Sequence, residues 1–216
     1  MKKLFIALCA LTLTFGVKAQ LINNENVRNL QPYVRLGLNS MSVYGDDADG
    51  WKSKTGYSLL VGFQKEITSS TTTSLLFEME AGLRSRGFGF TEKDDSDKYE
   101  EFLFSHNIYL SPINLDAFLK VSNDFSLDAH VGVYAAYDYY GNYVTKTKVS
   151  GTTDKNSTSI GDFDDYKRHD VGFTFGFGVW YQKFNFDVSF QKGFVDIIED
   201  VNMRTNNVVF SVGYKL

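Results

Sequence analysis

Residues with a wide chemical repertoire are scarce in this chain. Its 216 residues include three histidines, His106, His130 and His169, and one cysteine, Cys9. Metal sites draw on paired or closely spaced ligands, and no His-x-x-x-His or Cys pair occurs. His130 stands two residues from Asp128, which on a strand puts both on one side. That pair reads either as a catalytic or metal pair or, more simply, as part of an interior polar network. Ser105-His106 supplies a nucleophile type and a base type, but strand neighbours point to opposite faces and their side chains cannot meet. His169-Asp170 would need other loop acids brought to it, and nothing in the sequence requires that. Acids cluster at Asp46-Asp47-x-Asp49-Gly50, Asp94-Asp95-x-Asp97 and Asp162-x-Asp164-Asp165. Hard cations take several such oxygens, but no cluster completes a twelve-residue calcium loop with its closing Glu, so these read as solvated loop charge. The pairs Gly87/Gly89 and Gly176/Gly178 precede no helix and are not phosphate loops. The spacing therefore predicts no catalytic, cofactor or metal site, and no enzyme.

The elements that carry these residues are marked by composition. Nineteen Phe, 13 Tyr and 2 Trp exclude a disordered chain, and 18 Gly with 2 Pro exclude a collagen-like one. Residues 1–19 read as a signal peptide: basic Lys2 and Lys3, apolar Leu4 to Phe15, then Val17-Lys18-Ala19 before a cut at Gln20. The apolar run is too short to span a membrane as a helix, which takes about 20 residues. Cleavage would remove Lys2, Lys3 and Lys18 from 22 basic residues, leaving 19 against 26 acidic ones, a net charge of −7. It would also remove the only cysteine. An exported chain without disulfides needs a large hydrogen-bonded fold or a membrane to hold it, and its charge disfavours nucleic acid as a partner.

Period-two alternation dominates residues 20–216. From Phe125 to Tyr140 the odd positions (Phe125, Leu127, Ala129, Val131, Val133, Ala135, Tyr137, Tyr139) are apolar, while the even ones include Asp128, His130, Gly132, Asp138 and Tyr140. Side chains alternate across a strand, so one face is apolar and the other polar. Sixteen such residues exceed an ordinary strand of about 5–6 and suffice for a tilted bilayer crossing of about 9–11. The same pattern recurs around 33–44, 57–64, 75–84, 171–181, 184–191 and 208–216. In 102–121 the parity slips at Ser111-Pro112, which a β-bulge explains together with the proline. Eight strands result, joined by short turns near 68–71, 122–124 and 182–183 and by long polar connections near 45–55, 89–101, 141–168 and 193–206. That alternation of short and long links fits an eight-stranded antiparallel up-and-down transmembrane β-barrel with periplasmic termini.

Two features turn the apolar face outward to lipid. Glycines such as Gly37, Gly62, Gly82, Gly132, Gly172, Gly176, Gly178 and Gly213 share the polar face, where they make room inside a narrow barrel. Charges are missing from the middle of the apolar faces, and Lys65 and Lys192 sit near strand ends, as a lipid face requires. Arg35, Glu78, Glu80, Arg84, Asp128, His130, Asp187 and Lys215 then fall inside and are expected to form a salt-bridged plug rather than a pore.

The leader ending at Ala19-Gln20, Gly37-Leu38-Asn39, the Glu78–Gly87 strand, Tyr109-Leu110-Ser111-Pro112 and the closing Phe210-Ser211-Val212-Gly213-Tyr214-Lys215-Leu216 carry a resemblance to a known family. The chain resembles the outer membrane β-barrel domain family abundant in Bacteroidetes. The resemblance implies residence in a Gram-negative outer membrane, contact with its lipid, and a closing strand read by the barrel-insertion machinery through Phe210, Tyr214 and Leu216. It is consistent with a binding, adhesion or structural role exercised through external loops on an unknown ligand, without a cofactor. An outer-membrane enzyme with a site at the rim (lipid A-modifying or protease-like) and a small porin are the alternatives.

Overall fold

Long alternating segments must satisfy every backbone donor with a neighbouring strand, and in lipid only a closed ring leaves no edge. A computed structural model of the chain has that form. It describes residues 30–94, 97–149 and 152–216. The expected signal peptide, the cut before Gln20, Cys9 and Asp95 lie outside the described residues.

Nine strands run in order: β1 (Leu30–Tyr44), β2 (Trp51–Ser69), β3 (Thr73–Asp94), β4 (Asp97–Lys120), β5 (Phe125–Val149), β6 (Thr152–Ser159), β7 (His169–Tyr181), β8 (Phe184–Ile198) and β9 (Val201–Lys215). Every pairing is antiparallel. Consecutive strands pair from β1 to β5, β5 passes to β7, β7 to β8 and β8 to β9, and β9 closes on β1 from Tyr33↔Lys215 to Tyr44↔Arg204. Eight strands thus make the ring. The ninth, β6, is an addition to the expected count: it pairs only with the outer end of β5, from Asn142↔Ser159 to Val149↔Thr152. No helix among the described residues is long and apolar enough to cross a membrane, which does not bear on strands.

The faces follow the alternation. Leu36 (62% exposed), Val133 (47%) and Phe177 (61%) point out, while Arg35, Glu78, Asp128 and Asp187 are buried within. A soluble barrel would reverse this, because its apolar face would fill the core. The parity slip in β4 is a bulge: Leu110 pairs Ala135 but Ile113 pairs Val133, so one residue too many lies around Pro112. A second bulge was not foreseen. His106 pairs Tyr140 while Asn107 pairs Asp138, so Tyr139 is the extra residue and Tyr140 turns outward at 56% exposed, not inward as its even number suggests.

The ring's two ends differ. At one end the turns are tight, as at Gln182, whose amide donates to the Asp124 carbonyl at 2.7 Å. At the other, two connections expected to be loops are largely strand: within 89–101, β3 runs to Asp94 and β4 starts at Asp97, and β5 with β6 fills much of 141–168. Outward-facing Tyr57, Phe104, His106, Tyr139 and Tyr140 cluster where this extension leaves the ring, with Tyr57 Oη 3.3 Å from His106 Nδ1. Aromatic girdles mark membrane interfaces. The ribbon of β3, β4, β5 and β6 stands beyond this one.

Candidate functional site

Two regions concentrate polar chemistry: the lumen and the ribbon. The lumen residues come from alternate positions of the ring strands, and they fall into tiers.

In the tier near the tight turns, Arg35 Nη1 on β1 lies 3.0 Å from Glu80 Oε2 and 3.7 Å from Glu78 Oε1 on β3. Tyr33 donates to Glu80 (3.1 Å), and Gln64 donates to Glu78 (2.7 Å) and Asp116 (3.3 Å). His130 Nδ1 faces three carboxylates, with Asp128 and Asp187 at 3.5 Å and Asp116 at 3.9 Å. Asp116, Asp128 and His130 each offer a donor atom within 4.8 Å of the other two, the one such group among the described residues. Lys215 is not in this network: its ammonium lies 3.9 Å over the Trp180 ring and 5.4 Å over Phe118. Arg84, one tier up, makes no ion pair among the described residues. Its guanidinium stacks 3.8 Å over Tyr109 and donates to Gln191. Of the eight lumen residues expected from sequence, seven are buried within the lumen, but the ion pairs are confined to those around Arg35 and His130.

The outer tier contains residues the sequence did not single out. Arg86 binds Asp138 through two nitrogens (2.7 and 3.2 Å) and Asp170 through a third contact (3.0 Å). Ser105 donates to Asp138 (3.0 Å), and Tyr134 (3.1 Å) and Thr205 (2.7 Å) donate to Asp170. The Tyr166 phenol reaches in from the connection between β6 and β7 to donate to Asp138. Burial, and then the Asp138 charge, raise the Tyr166 phenol well above its usual range. Met41, Phe88, Leu103, Ile160, Tyr166, Ile197 and Met203 pack over this tier as an apolar cap. The lumen includes two cavities of about 10 Å³, one lined by Arg35, Glu80, Arg84 and His130 and the other by Arg84, Arg86, Asn107 and Tyr134. Each holds about one water.

Of the pairs weighed from sequence, His130 and Asp128 meet at 3.5 Å in the lumen, whereas the other two do not converge. Ser105 is buried in the lumen and His106 stands in the outer aromatic cluster; Asp170 points in and His169 out. The loop acids are partly engaged, since Asp46 and Asp47 accept from Asn202 on β9 at 2.9 and 2.8 Å. Phe210, Tyr214 and Leu216 all face outward, with Tyr214 5.1 Å from Phe184.

On the ribbon, directly paired residues share a face. Lys93 pairs Lys98 and Lys98 pairs Lys148, giving one row; Glu100 pairs Lys146 and Lys146 pairs Lys155, giving the next. Among the described residues, one face thus carries five lysines and a single acid. That acid, Glu100, lies 2.7 Å from the Lys98 ammonium, which holds its carboxyl below the usual range. The opposite face carries Glu92, Glu101 and Asp154. There Tyr99 donates to Glu101, and its phenol is pushed up to about 12.

The profile of the outer membrane protein beta-barrel domain family matches residues 10–199. The chain belongs to that family. It is an integral barrel of the outer membrane, and the family's short turns face the periplasm and its longer connections the outside. No curated protein matches the sequence. Similar solved structures include Ail, the attachment invasion locus protein of Yersinia pestis, at 12% identity and a TM-score of 0.39 over 86% of this chain and 98% of Ail. Neisserial surface protein A is similar at 10% identity and 0.38, covering 86% and 97% of the two chains. The N-terminal β-barrel domain of Pseudomonas aeruginosa OprF stands at 10% and 0.32, covering 85% and 97%.

Proposed function

We propose that this outer-membrane barrel keeps its lumen closed and works at the cell surface by binding a polyanionic saccharide, one bearing sulfate, phosphate or carboxylate groups, on the lysine face of its ribbon. The observation that carries the reading is the lysine register. Like charges directly opposite one another destabilise a sheet, yet Lys98 has a lysine partner on both sides and Lys146 has Lys155 on one. The ring does not need these residues, because they lie beyond the apolar band. Strands about 4.8 Å apart and same-face residues about 7 Å apart give an array that meets several anionic groups at once. Nothing comparable favours a porin, whose lumen would have to be continuous and wet.

The test uses protein reconstituted in nanodiscs of neutral lipid, with dextran sulfate as probe and uncharged dextran as control. Binding should be selective for dextran sulfate and should weaken as salt rises. Lys146→Glu/Lys148→Glu/Lys155→Glu should lower the affinity roughly tenfold or more, from three exposed charge contacts of up to about 1 kcal/mol each. Unchanged affinity in that variant, or equal binding of uncharged dextran, would overturn the proposal.

A further inference from the structure

The cluster around His130 holds more acid than its partners neutralise. Five buried carboxylates, Glu78, Glu80, Asp116, Asp128 and Asp187, have two cationic groups within ion-pair distance, the Arg35 guanidinium and the His130 imidazole; Arg84 over Tyr109 and Lys215 over Trp180 act on them from farther off. Arg35 serves the two glutamates. Three aspartates then converge on a single ring nitrogen, which has at most one proton to give. Buried charge left without a partner is strongly unfavourable.

The oxygens of Asp187 and Asp116 are arranged alike. Asp187 Oδ1 is held by the hydroxyls of Ser189 and Ser211, while its Oδ2 has no hydrogen-bond partner and lies 3.5 Å from His130 Nδ1. Asp116 Oδ2 accepts from Gln64, while its Oδ1 has none and lies 3.9 Å from the same nitrogen. Asp128 differs: its Oδ1 is the oxygen 3.5 Å from His130 Nδ1, while its Oδ2, which has no hydrogen-bond partner, lies against Gly178. Contacts of 3.5–3.9 Å are too long for charge-assisted hydrogen bonds of about 2.7–2.9 Å. Each aspartate is buried by more than nine-tenths. In Asp116 and Asp187, one oxygen anchored by a neutral donor and the other turned bare toward an imidazole nitrogen is how a protein orients ligands around an ion.

The backbone also makes way for this convergence. β5 and β8 are separated by β7, and the positions of β7 between them are glycines: Gly178 pairs Asp128 and Asp187, and Gly176 pairs His130 and Ser189. A Cβ on Gly178 would lie 2.2 Å from Asp128 Oδ2, and one on Gly176 would lie 2.6 Å from His130 Nε2. Any larger residue on β7 would fill the space through which Asp128, His130 and Asp187 meet.

We propose that Asp116, Asp128 and His130, with Asp187 as a fourth ligand, bind a divalent first-row transition-metal ion in the periplasmic half of the lumen. Carboxylate oxygens alone would suit Ca²⁺ or Mg²⁺; the imidazole nitrogen selects Zn²⁺, Mn²⁺ and their neighbours. The ion supplies the positive charge that the three aspartates lack. It also ties β4, β5 and β8 together across the barrel, so the site staples the plug and does no surface chemistry.

The test is metal content. The full chain is unfolded in urea with EDTA, refolded into detergent micelles with ZnCl₂, gel-filtered and assayed by mass spectrometry for bound zinc. The wild type should retain about one ion per chain, and Asp116→Asn/Asp128→Asn should retain less than about a tenth of that. His106→Gln/His169→Gln removes the other two histidines and should load as the wild type does. If the aspartate variant fails to fold, the histidine variant loaded with Cu²⁺ still decides, since His130 is then the only imidazole. Pulsed EPR should detect nitrogen coupling from one imidazole ring. A wild type free of metal, an aspartate variant that loads fully, or a copper centre without imidazole coupling would each overturn the proposal.

Discussion

Replacing Arg86 with methionine removes the one cation of the outer tier and leaves Asp138 and Asp170 buried without a counter-charge. Both carboxylates are at most 2% exposed, and the guanidinium meets them at 2.7–3.2 Å. Breaking a buried ion pair from one side costs about 3–5 kcal/mol, whereas removing both sides is far cheaper because no charge remains to be desolvated. Arg86→Met should therefore destabilise the folded barrel by about 3–5 kcal/mol, and Arg86→Met/Asp138→Asn/Asp170→Asn should recover most of that loss. Urea unfolding in detergent, followed by the mobility shift of unboiled samples on SDS gels, reads both numbers. Tyr134 and Thr205 donate to one oxygen of Asp170 and can donate to an amide oxygen there; at position 138 one of the hydroxyls of Ser105 and Tyr166 can donate to the amide oxygen while the other accepts from its NH2, so the triple variant keeps its hydrogen bonds. A single variant within about 1 kcal/mol of wild type, or a triple variant no better than the single one, would refute the reasoning.

Gly132→Val should slow assembly and lower stability by about 1–3 kcal/mol, because its Cβ would lie 1.7 Å from Asn114 Oδ1 and 2.4 Å from the Ile113 carbonyl; refolding yield and urea midpoint check this. Tyr166→Phe should loosen the connection over residues 160–168 at a cost of about 1 kcal/mol, seen as faster limited proteolysis there. Since the Tyr166 phenol is raised in the fold, its contribution is complete below the ordinary tyrosine value of about 10 and declines as the pH rises above it; tyrosinate absorbance and proteolysis should report that loss together in an alkaline titration. Purified protein in planar bilayers should give no steady large conductance, because the lumen cavities hold about one water each.

Much of this architecture was legible because lipid enforces period two between the bulges. Val133, Phe177 and Leu36 face out because a charge at their positions would be costly, and Glu78 and Asp187 face in for the same reason. The bulge at Pro112 showed itself because it reversed the parity of two well-marked apolar runs. The bulge at Tyr139 was silent, since tyrosine stands on both sides of the slip and either face of an interfacial girdle accepts it. The outer tier was within reach of the same rule: Arg86 follows Arg84 by two, Asp138 shares the parity of His130, and Asp170 that of Gly172. It was passed over because the strands were expected to end near those residues. The ribbon and β6 were hidden more deeply. Thr152–Ser159 is polar on both faces, so it lacks the alternation that betrays a strand facing lipid. Which acids meet His130 depended on register across four strands, and only the glycines of β7 hinted that side chains would cross there.

The barrel requires an apolar face that touches lipid and a polar face that fills the lumen, and a single cysteine at position 133 tests that most directly. The cysteine is introduced into a chain with Cys9 replaced, and a fluorescent label there is challenged with lipid-borne and water-soluble quenchers in reconstituted membranes. Val133 is half exposed on the outside of the ring, in the middle of the β5 apolar run. The label should be quenched from the lipid and shielded from the water, while the same label at Lys93 on the ribbon should show the reverse. Protection of position 133 from both quenchers would mean that the apolar face points inward, and the membrane barrel described here would be wrong.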